Sequence, residues 1–218
     1  WDAPDSHISV ANRLQKELPN AHILDQYSNP SNPNAHYENT ATEILKDLNN
    51  NVHMVVMGAG TGGTISGVAK KIKEVCPNAI IVGADPEGSI LAGGDTVGSY
   101  KVEGIGYDFI PDVLDGNLID RWVKTKDRQS FQLSRRLIKE EGLLCGGSAG
   151  SALYAALKEA ETLGEDMNCV VLLADGVRNY MTKFVDDRWM KENNFTGPED
   201  FEGDVSSILE QTKDRGLI

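Results

Sequence analysis

Residues 52–64 read Val-His-Met-Val-Val-Met-Gly-Ala-Gly-Thr-Gly-Gly-Thr. The first seven form a nearly continuous apolar run, which is typical of a strand buried on both faces of a sheet. Residues 65–75 follow as an amphipathic helix with a basic outer face. The glycine-rich turn between them predicts an anion site, because unpaired amides at a helix start point outward and glycine lets a phosphate approach them closely. Thr61 and Thr64 add hydroxyl donors.

The alternation of strand and helix continues along the chain. Further strands are predicted at about 79–84, 119–125 and 168–174, and further helices at about 128–141 and 148–163. This order predicts an α/β fold of three layers, in which a mostly parallel sheet carries helices on both faces. Upstream we predict a helix over 8–18 capped by Asp5 or Ser6, a strand over 22–27, a loop over 28–34 and a helix over 40–48.

Charge and composition limit the possible partners. The 33 acidic and 21 basic residues give a net charge of -12, which opposes binding to nucleic acid or to an anionic membrane surface. No stretch reaches the roughly 18 apolar residues of a membrane span. The three cysteines are too scattered for a disulfide framework, which favours a reducing compartment and a cytoplasmic protein. The four histidines lack metal-ligand spacing, so we predict no metal site and a structural His36.

The glycine-rich turn by itself leaves two alternatives open. Gly58, Gly60 and Gly63 also satisfy the dinucleotide fingerprint G-x-G-x-x-G, and Asp85 ends the next strand 22 residues after Gly63, where an acidic residue would bind a ribose. The turn could also bind nothing. That is the weaker alternative, because so many glycines lose much backbone entropy on folding.

A second glycine-rich turn, Leu144-Cys145-Gly146-Gly147-Ser148-Ala149-Gly150-Ser151, precedes the last long helix. Ser148 is interpreted there as the helix cap or as a functional hydroxyl. Cys145 borders this turn, and we interpret it as a small buried residue and not as a nucleophile. A dinucleotide fold does not need this second turn.

The pairing of Gly-Thr-Gly-Gly-Thr with Gly-Gly-Ser-Ala-Gly resembles the fold type II pyridoxal-phosphate enzymes. Several runs over about residues 1–195 are similar to the cystathionine beta-synthase group in particular. They are Asp25-Gln26-Tyr27, Asn32-Pro33 to His36-Tyr37, residues 85–91, residues 102–111, and Val177 to Phe184 with Asp187-Arg188-Trp189-Met190. Cysteine synthases share the first turn, but Tyr107-Asp108 and residues 178–184 are not expected of them.

The resemblance implies a role for each matching residue. Gly60, Thr61, Gly62, Gly63 and Thr64 would bind the phosphate of pyridoxal 5'-phosphate, and Ser148 would hydrogen-bond the pyridine nitrogen. The substrate would contact Gln26 and Tyr27, whose alternative is a pair at a strand end. It would also contact the loop with Gly104 and Tyr107, and Tyr107 could instead be a core aromatic. No catalytic residue is expected within the chain, because the family's Schiff-base lysine lies upstream of Trp1.

The resemblance also implies an activity and an organisation. The reaction would be that of a lyase of transsulfuration and cysteine biosynthesis, joining L-serine and L-homocysteine to L-cystathionine and water. Cysteine synthase and a non-catalytic fragment that binds the cofactor or a partner remain alternatives. Residues 1–40 would end a small substrate-side domain, 41–195 would form the large cofactor domain, and 196–218 a polar tail or linker. A homodimer is expected, and an adenosylmethionine-responsive regulatory domain could follow.

Overall fold

A computed structural model describes residues 1–197 of the protein. At its centre lies a parallel sheet, in which strands occur in the order β3-β2-β1-β4. The strands are β1 (Met54–Gly58), β2 (Ile80–Pro86), β3 (Arg121–Thr125) and β4 (Cys169–Val171). Every pairing between neighbouring strands is parallel. The carboxyl ends of β1, β2 and β3 therefore meet at one edge, which is where ligands bind in such sheets.

Helices lie on both faces of the sheet. The α-helices in residues 1–197 are α1 (His7–Glu17), α2 (Ser31–Ala35), α3 (Ala41–Asp47), α4 (Gly63–Val75), α5 (Asp127–Glu141), α6 (Gly147–Ala160) and α7 (Asp187–Glu192). Helix α4 packs on one face of the sheet and helix α6 on the other. Alternate residues of β1 point to opposite faces: Val55 and Met57 pack with the cluster that holds α4, whereas Met54 and Val56 pack with α6. The three-layer α/β fold is thus confirmed, and two of its hydrophobic clusters lie on either side of β1.

Two predicted elements near the amino terminus are wrong. Residues 22–27 form no strand, because Asp25 adopts a left-handed backbone with φ of 48° and the sheet offers them no neighbour. Residues 28–34 are not all loop, because α2 begins at Ser31. Pro33 is tolerated there since it occupies the first turn, where the missing N–H has no partner within the helix anyway.

The helix predicted from the Ser6 cap is confirmed as α1, and the Ser6 hydroxyl accepts from the amide of Ser9 at 3.1 Å.

Within residues 1–197, no helix is long and apolar enough to cross a bilayer. The domain boundaries at residues 40 and 195 stay predictions, and most of the tail at 196–218 lies outside the described residues.

Candidate functional site

The glycine-rich turn leads into α4, whose first amides have no partner within the helix; that of Gly63 donates to the Thr61 hydroxyl oxygen at 3.3 Å. Gly62 is the residue before the helix and has φ of 84°, a left-handed conformation that favours glycine. Because glycine has no side chain, this cap residue cannot accept a hydrogen bond from the amides of the first turn. Because the first amides of a helix have no partner within it, this end attracts an anion.

A second loop, Gly104 to Tyr107, packs directly on this turn. The amide of Gly106 donates to the carbonyl of Ala59 at 2.7 Å. A β-carbon on Gly60 would lie 2.6 Å from the carbonyl oxygen of Gly104, and one on Gly58 would lie 2.5 Å from Cγ2 of Ile105. The two loops therefore approach each other so closely that side chains at these glycines would separate them.

Ser148 lies in the first turn of α6 and is buried, with 6% of its surface exposed. The expectation that it caps the helix is wrong: α6 begins at Gly147, and Gly146 is the cap residue, because Gly146 still has extended backbone angles. The Ser148 hydroxyl has no hydrogen-bond partner in the part of the chain that the structure describes. Because Ser148 lines a cavity and its hydroxyl has no protein partner there, the hydroxyl is available to a polar ligand atom.

These features surround one cavity of about 200 Å³. Its lining includes most of the residues singled out from the sequence, namely Gly60, Thr61, Gly62, Thr64, Ser148, Gln26 and Gly104. Gly63 lies behind the turn, against Asn32. Leu172 and Ala174, which follow β4, complete the wall and were missed. They could have been predicted from the sequence, because they follow a parallel strand and parallel strands end at the same edge of a sheet. Among the described residues, no lysine lines this cavity.

Tyr107 and Tyr27 lie at the outer side of the site. Tyr107 lines an adjoining cavity of about 610 Å³ that also reaches Gln26 and Gly104. Its hydroxyl is hydrogen-bonded to that of Tyr27, which is bonded in turn to Nε2 of His7 at 2.8 Å. Burial raises the pKa of Tyr107 above its usual value, and the bond to Tyr27 adds to this effect. Tyr107 is thus a neutral hydroxyl at the site's mouth and not only a core aromatic.

Asn32 and His36, which we did not predict as site residues, contact the turn from behind. Asn32 Nδ2 donates to the hydroxyl oxygen of Thr61 at 3.0 Å. His36 Nε2 lies 3.1 Å from the hydroxyl oxygen of Thr64. Burial lowers the pKa of His36, which makes the imidazole neutral at neutral pH. His36 is structural in the sense that we predicted, and the structure it supports is the glycine-rich turn itself.

Asp85 is not available to a nucleotide ribose. Its side chain is fully buried, and one carboxylate oxygen accepts from Nζ of Lys124 at 2.6 Å and from the amide of Ala92 at 3.0 Å. The dinucleotide interpretation therefore lacks the acidic residue on which it depended.

Cys145, the other reactive group considered, is buried, and burial raises the pKa of its thiol. The thiolate, which is the nucleophilic form, is disfavoured there. This agrees with the interpretation of Cys145 as a buried residue without a nucleophilic role.

The cavity fits pyridoxal 5'-phosphate. Free amides and two threonine hydroxyls lie at one end, where a phosphate dianion needs donors. The unpaired hydroxyl of Ser148 lines the same cavity and can serve the pyridine nitrogen. Within residues 1–197 the lining contains no charged side chain, so the phosphate would be held there by dipoles, in the way helix starts hold anions.

Comparisons with known proteins agree with this geometry. The chain is 59% identical over 203 residues to a cystathionine beta-synthase of Dictyostelium discoideum, covering 91% of this chain and 41% of the relative. It is 40% identical over 176 residues to a cysteine synthase of Helicobacter pylori, covering 81% of this chain and 57% of that protein. The chain thus spans less than two thirds of the length of either relative.

A solved structure described as an O-acetylserine dependent cystathionine beta-synthase from Helicobacter pylori superposes with a TM-score of 0.78 at 38% identity. The match covers 84% of this chain and 59% of that one. The family model described as pyridoxal-phosphate dependent enzyme matches residues 2–175. The chain therefore belongs to the family of pyridoxal-phosphate dependent enzymes.

Proposed function

We propose that the protein is a cystathionine beta-synthase, which replaces the hydroxyl of L-serine by the thiol of L-homocysteine and gives L-cystathionine and water. The observation that carries this proposal is the single cavity shared by the phosphate turn, the Ser148 hydroxyl, Gln26 and Gly104. The higher identity to a cystathionine beta-synthase than to a cysteine synthase favours homocysteine as the second substrate.

The cofactor end of the site would work through neutral donors. When bound, pyridoxal 5'-phosphate supplies the electron sink that lets an amino acid lose its α-proton and its β-substituent. Gly60 to Thr64 would hold the phosphate with backbone amides and hydroxyls. Ser148 would hydrogen-bond the ring nitrogen without protonating it. A carboxylate partner would stabilise the protonated nitrogen, whereas a neutral hydroxyl does not. A weaker sink favours β-elimination over transamination.

The substrate end would use Gln26, Tyr27, Gly104 and Tyr107. Gln26 lines both the 200 Å³ and the 610 Å³ cavities, so its side chain amide can bind a carboxylate at their junction. The loop from Gly104 to Tyr107 lines both cavities, and both of its glycines have positive φ. Closure of this loop over the second substrate would exclude water from the reacting atoms.

The test measures products from two substrate pairs with the full-length gene product. L-serine with L-homocysteine is compared with O-acetylserine and sulfide, and cystathionine and cysteine are quantified by mass spectrometry. We expect cystathionine to form with the higher kcat/KM. Faster formation of cysteine would assign a cysteine synthase instead. Cofactor binding without either product would favour the non-catalytic fragment.

The catalytic lysine is proposed to lie upstream of Trp1. The chain of residues 1–218 alone, treated with pyridoxal 5'-phosphate and borohydride, should then carry the cofactor on none of its lysines. Peptide mapping of the full-length protein should find it on one lysine outside this range. A single modified lysine within residues 1–218 would contradict the assignment.

We propose further that the protein acts as a homodimer in the cytoplasm and that a regulatory domain that responds to adenosylmethionine can follow residue 218. The homodimer rests on the family resemblance. The cytoplasmic location rests on the three free cysteines, Cys76, Cys145 and Cys169. Sedimentation of the purified protein tests the dimer. A change in kcat with added adenosylmethionine tests the regulation.

A further inference from the structure

A polar ridge supports the phosphate turn from the side opposite the cavity. It consists of Asn32, His36 and Thr40, which are spaced four residues apart and therefore share one helical face. The ridge spans α2 and a π-helical turn at His36–Thr40. Such turns are rare and are often found at functional sites. Two members of the ridge contact the two threonine hydroxyls of the turn.

The contacts of Asn32 fix the direction of the Thr61 hydroxyl. Asn32 Nδ2 donates to the backbone carbonyl of Gln26 at 2.8 Å and to the hydroxyl oxygen of Thr61 at 3.0 Å. A carbonyl only accepts, so the atom facing Gln26 must be the amide nitrogen, and Thr61 must be the acceptor of the second bond. The amide of Gly63 also donates to this oxygen at 3.3 Å. The hydrogen of the Thr61 hydroxyl is therefore free to point into the cavity that Thr61 lines.

His36 can play the same part for Thr64 in only one of its neutral forms. Its Nδ1 lies 2.9 Å from the hydroxyl oxygen of Thr40, and its Nε2 lies 3.1 Å from that of Thr64. With the proton on Nε2, His36 donates to Thr64, accepts from Thr40, and leaves the hydrogen of Thr64 for a ligand. With the proton on Nδ1, the Thr64 hydroxyl must donate to His36. It would then turn only lone pairs toward a phosphate.

We propose that Asn32 and His36 are positioning residues that orient the hydroxyl hydrogens of Thr61 and Thr64 toward the cofactor phosphate, with the proton of His36 on Nε2. This inference rests on the proposed function, because it takes the phosphate of pyridoxal 5'-phosphate as the ligand. Neither residue touches the ligand in this account. Both act by turning a hydroxyl from an acceptor into a donor.

The test compares the affinities of apoprotein variants for pyridoxal 5'-phosphate and for pyridoxal, which shares the ring but lacks the phosphate. His36→Leu removes the donor to Thr64, and we expect it to weaken binding of the phosphate ester about tenfold, as for one lost hydrogen bond to a charged group. Binding of pyridoxal should be unchanged. His36→Gln retains an amide donor near the position of Nε2 and should stay within about threefold of the unchanged protein. Asn32→Asp, which can only accept, should lose about tenfold or more.

Nitrogen NMR of the unchanged protein provides a second readout that needs no variant to fold. In the complex with pyridoxal 5'-phosphate, His36 should carry its proton on Nε2, and a proton on Nδ1 would overturn the inference. Equal losses for both ligands in His36→Leu and Asn32→Asp, or no loss, would also overturn it. An unchanged protein that does not prefer the phosphate ester over pyridoxal would instead contradict the proposed function.

Discussion

At the scale of single residues, the proposed cofactor site can be tested most directly at the Ser148 hydroxyl. It is buried and unpaired among the described residues. Ser148→Ala should weaken binding of pyridoxal 5'-phosphate about three- to tenfold, as for the loss of one neutral hydrogen bond, and should lower kcat. Ser151→Ala is the matched control, because Ser151 lies on the same helix but is bonded to Ser130 in the core at 2.7 Å. It should lower stability and leave cofactor affinity unchanged. A silent Ser148→Ala would refute the assignment.

Thr64 and Asp85 separate a phosphate site from a dinucleotide site. Thr64→Ala should weaken cofactor binding about tenfold or more, because a donor to a charged phosphate is lost. Asp85→Asn should leave the affinity unchanged. It should instead lower the free energy of unfolding by about 1–3 kcal/mol, since Lys124 loses its charged partner. Cofactor titration and urea unfolding measure the two effects. The reverse pattern, with Asp85 needed for binding, would restore the dinucleotide interpretation.

Between elements, the contact of the β1–α4 turn with the Gly104–Tyr107 loop controls the shape of the site. Gly60→Ala should push this loop away, because the new β-carbon would lie 2.6 Å from the carbonyl of Gly104. We expect KM for the amino acid substrates to rise at least about tenfold and unfolding to become easier by about 1–3 kcal/mol. Gly116→Ala is the control, since a β-carbon there meets nothing within 4 Å. Similar kinetics for the two variants would show that the loops need no close contact.

The elements themselves were predictable to different degrees. The strand and helix around residues 52–75 follow from local pattern, because an apolar run and an amphipathic run have different periods. The segment 22–34 was assigned wrongly, because short apolar runs and prolines leave several local structures open. There, Asp25 with its left-handed backbone and the first-turn position of Pro33 decided the outcome.

For the whole molecule, burial of the Cys169 thiol predicts that the free energy of unfolding decreases at alkaline pH. Burial raises the pKa of Cys169 in β4 from 9.0 to about 11. Between these pH values the unfolded thiol ionises while the folded one does not, so the unfolded state binds fewer protons and stability falls as pH rises. The full effect is about 2–3 kcal/mol. Urea unfolding of the unchanged protein and of Cys169→Ala at pH 8 and at about pH 11 should show a steeper loss for the unchanged protein. Parallel losses would contradict the prediction.

The sequence by itself determined the parallel α/β architecture and the family. It also predicted a phosphate turn from Gly60 to Thr64, and the family resemblance singled out Ser148 and Gln26. These depend on local periodicity and on short motifs, which a single chain displays directly. Only the tertiary structure showed that Asn32 and His36 lie behind the turn, that Leu172 and Ala174 complete the wall, and that Lys124 engages Asp85. The physical reason is that such contacts join residues about 28 to 114 positions apart. Leu172, Ala174 and Lys124 reach their partners because parallel strands lie side by side and end together. Asn32 and His36 reach the turn because α2 and the π-helical turn at His36–Thr40 pack against α4. No local sequence pattern encodes either arrangement.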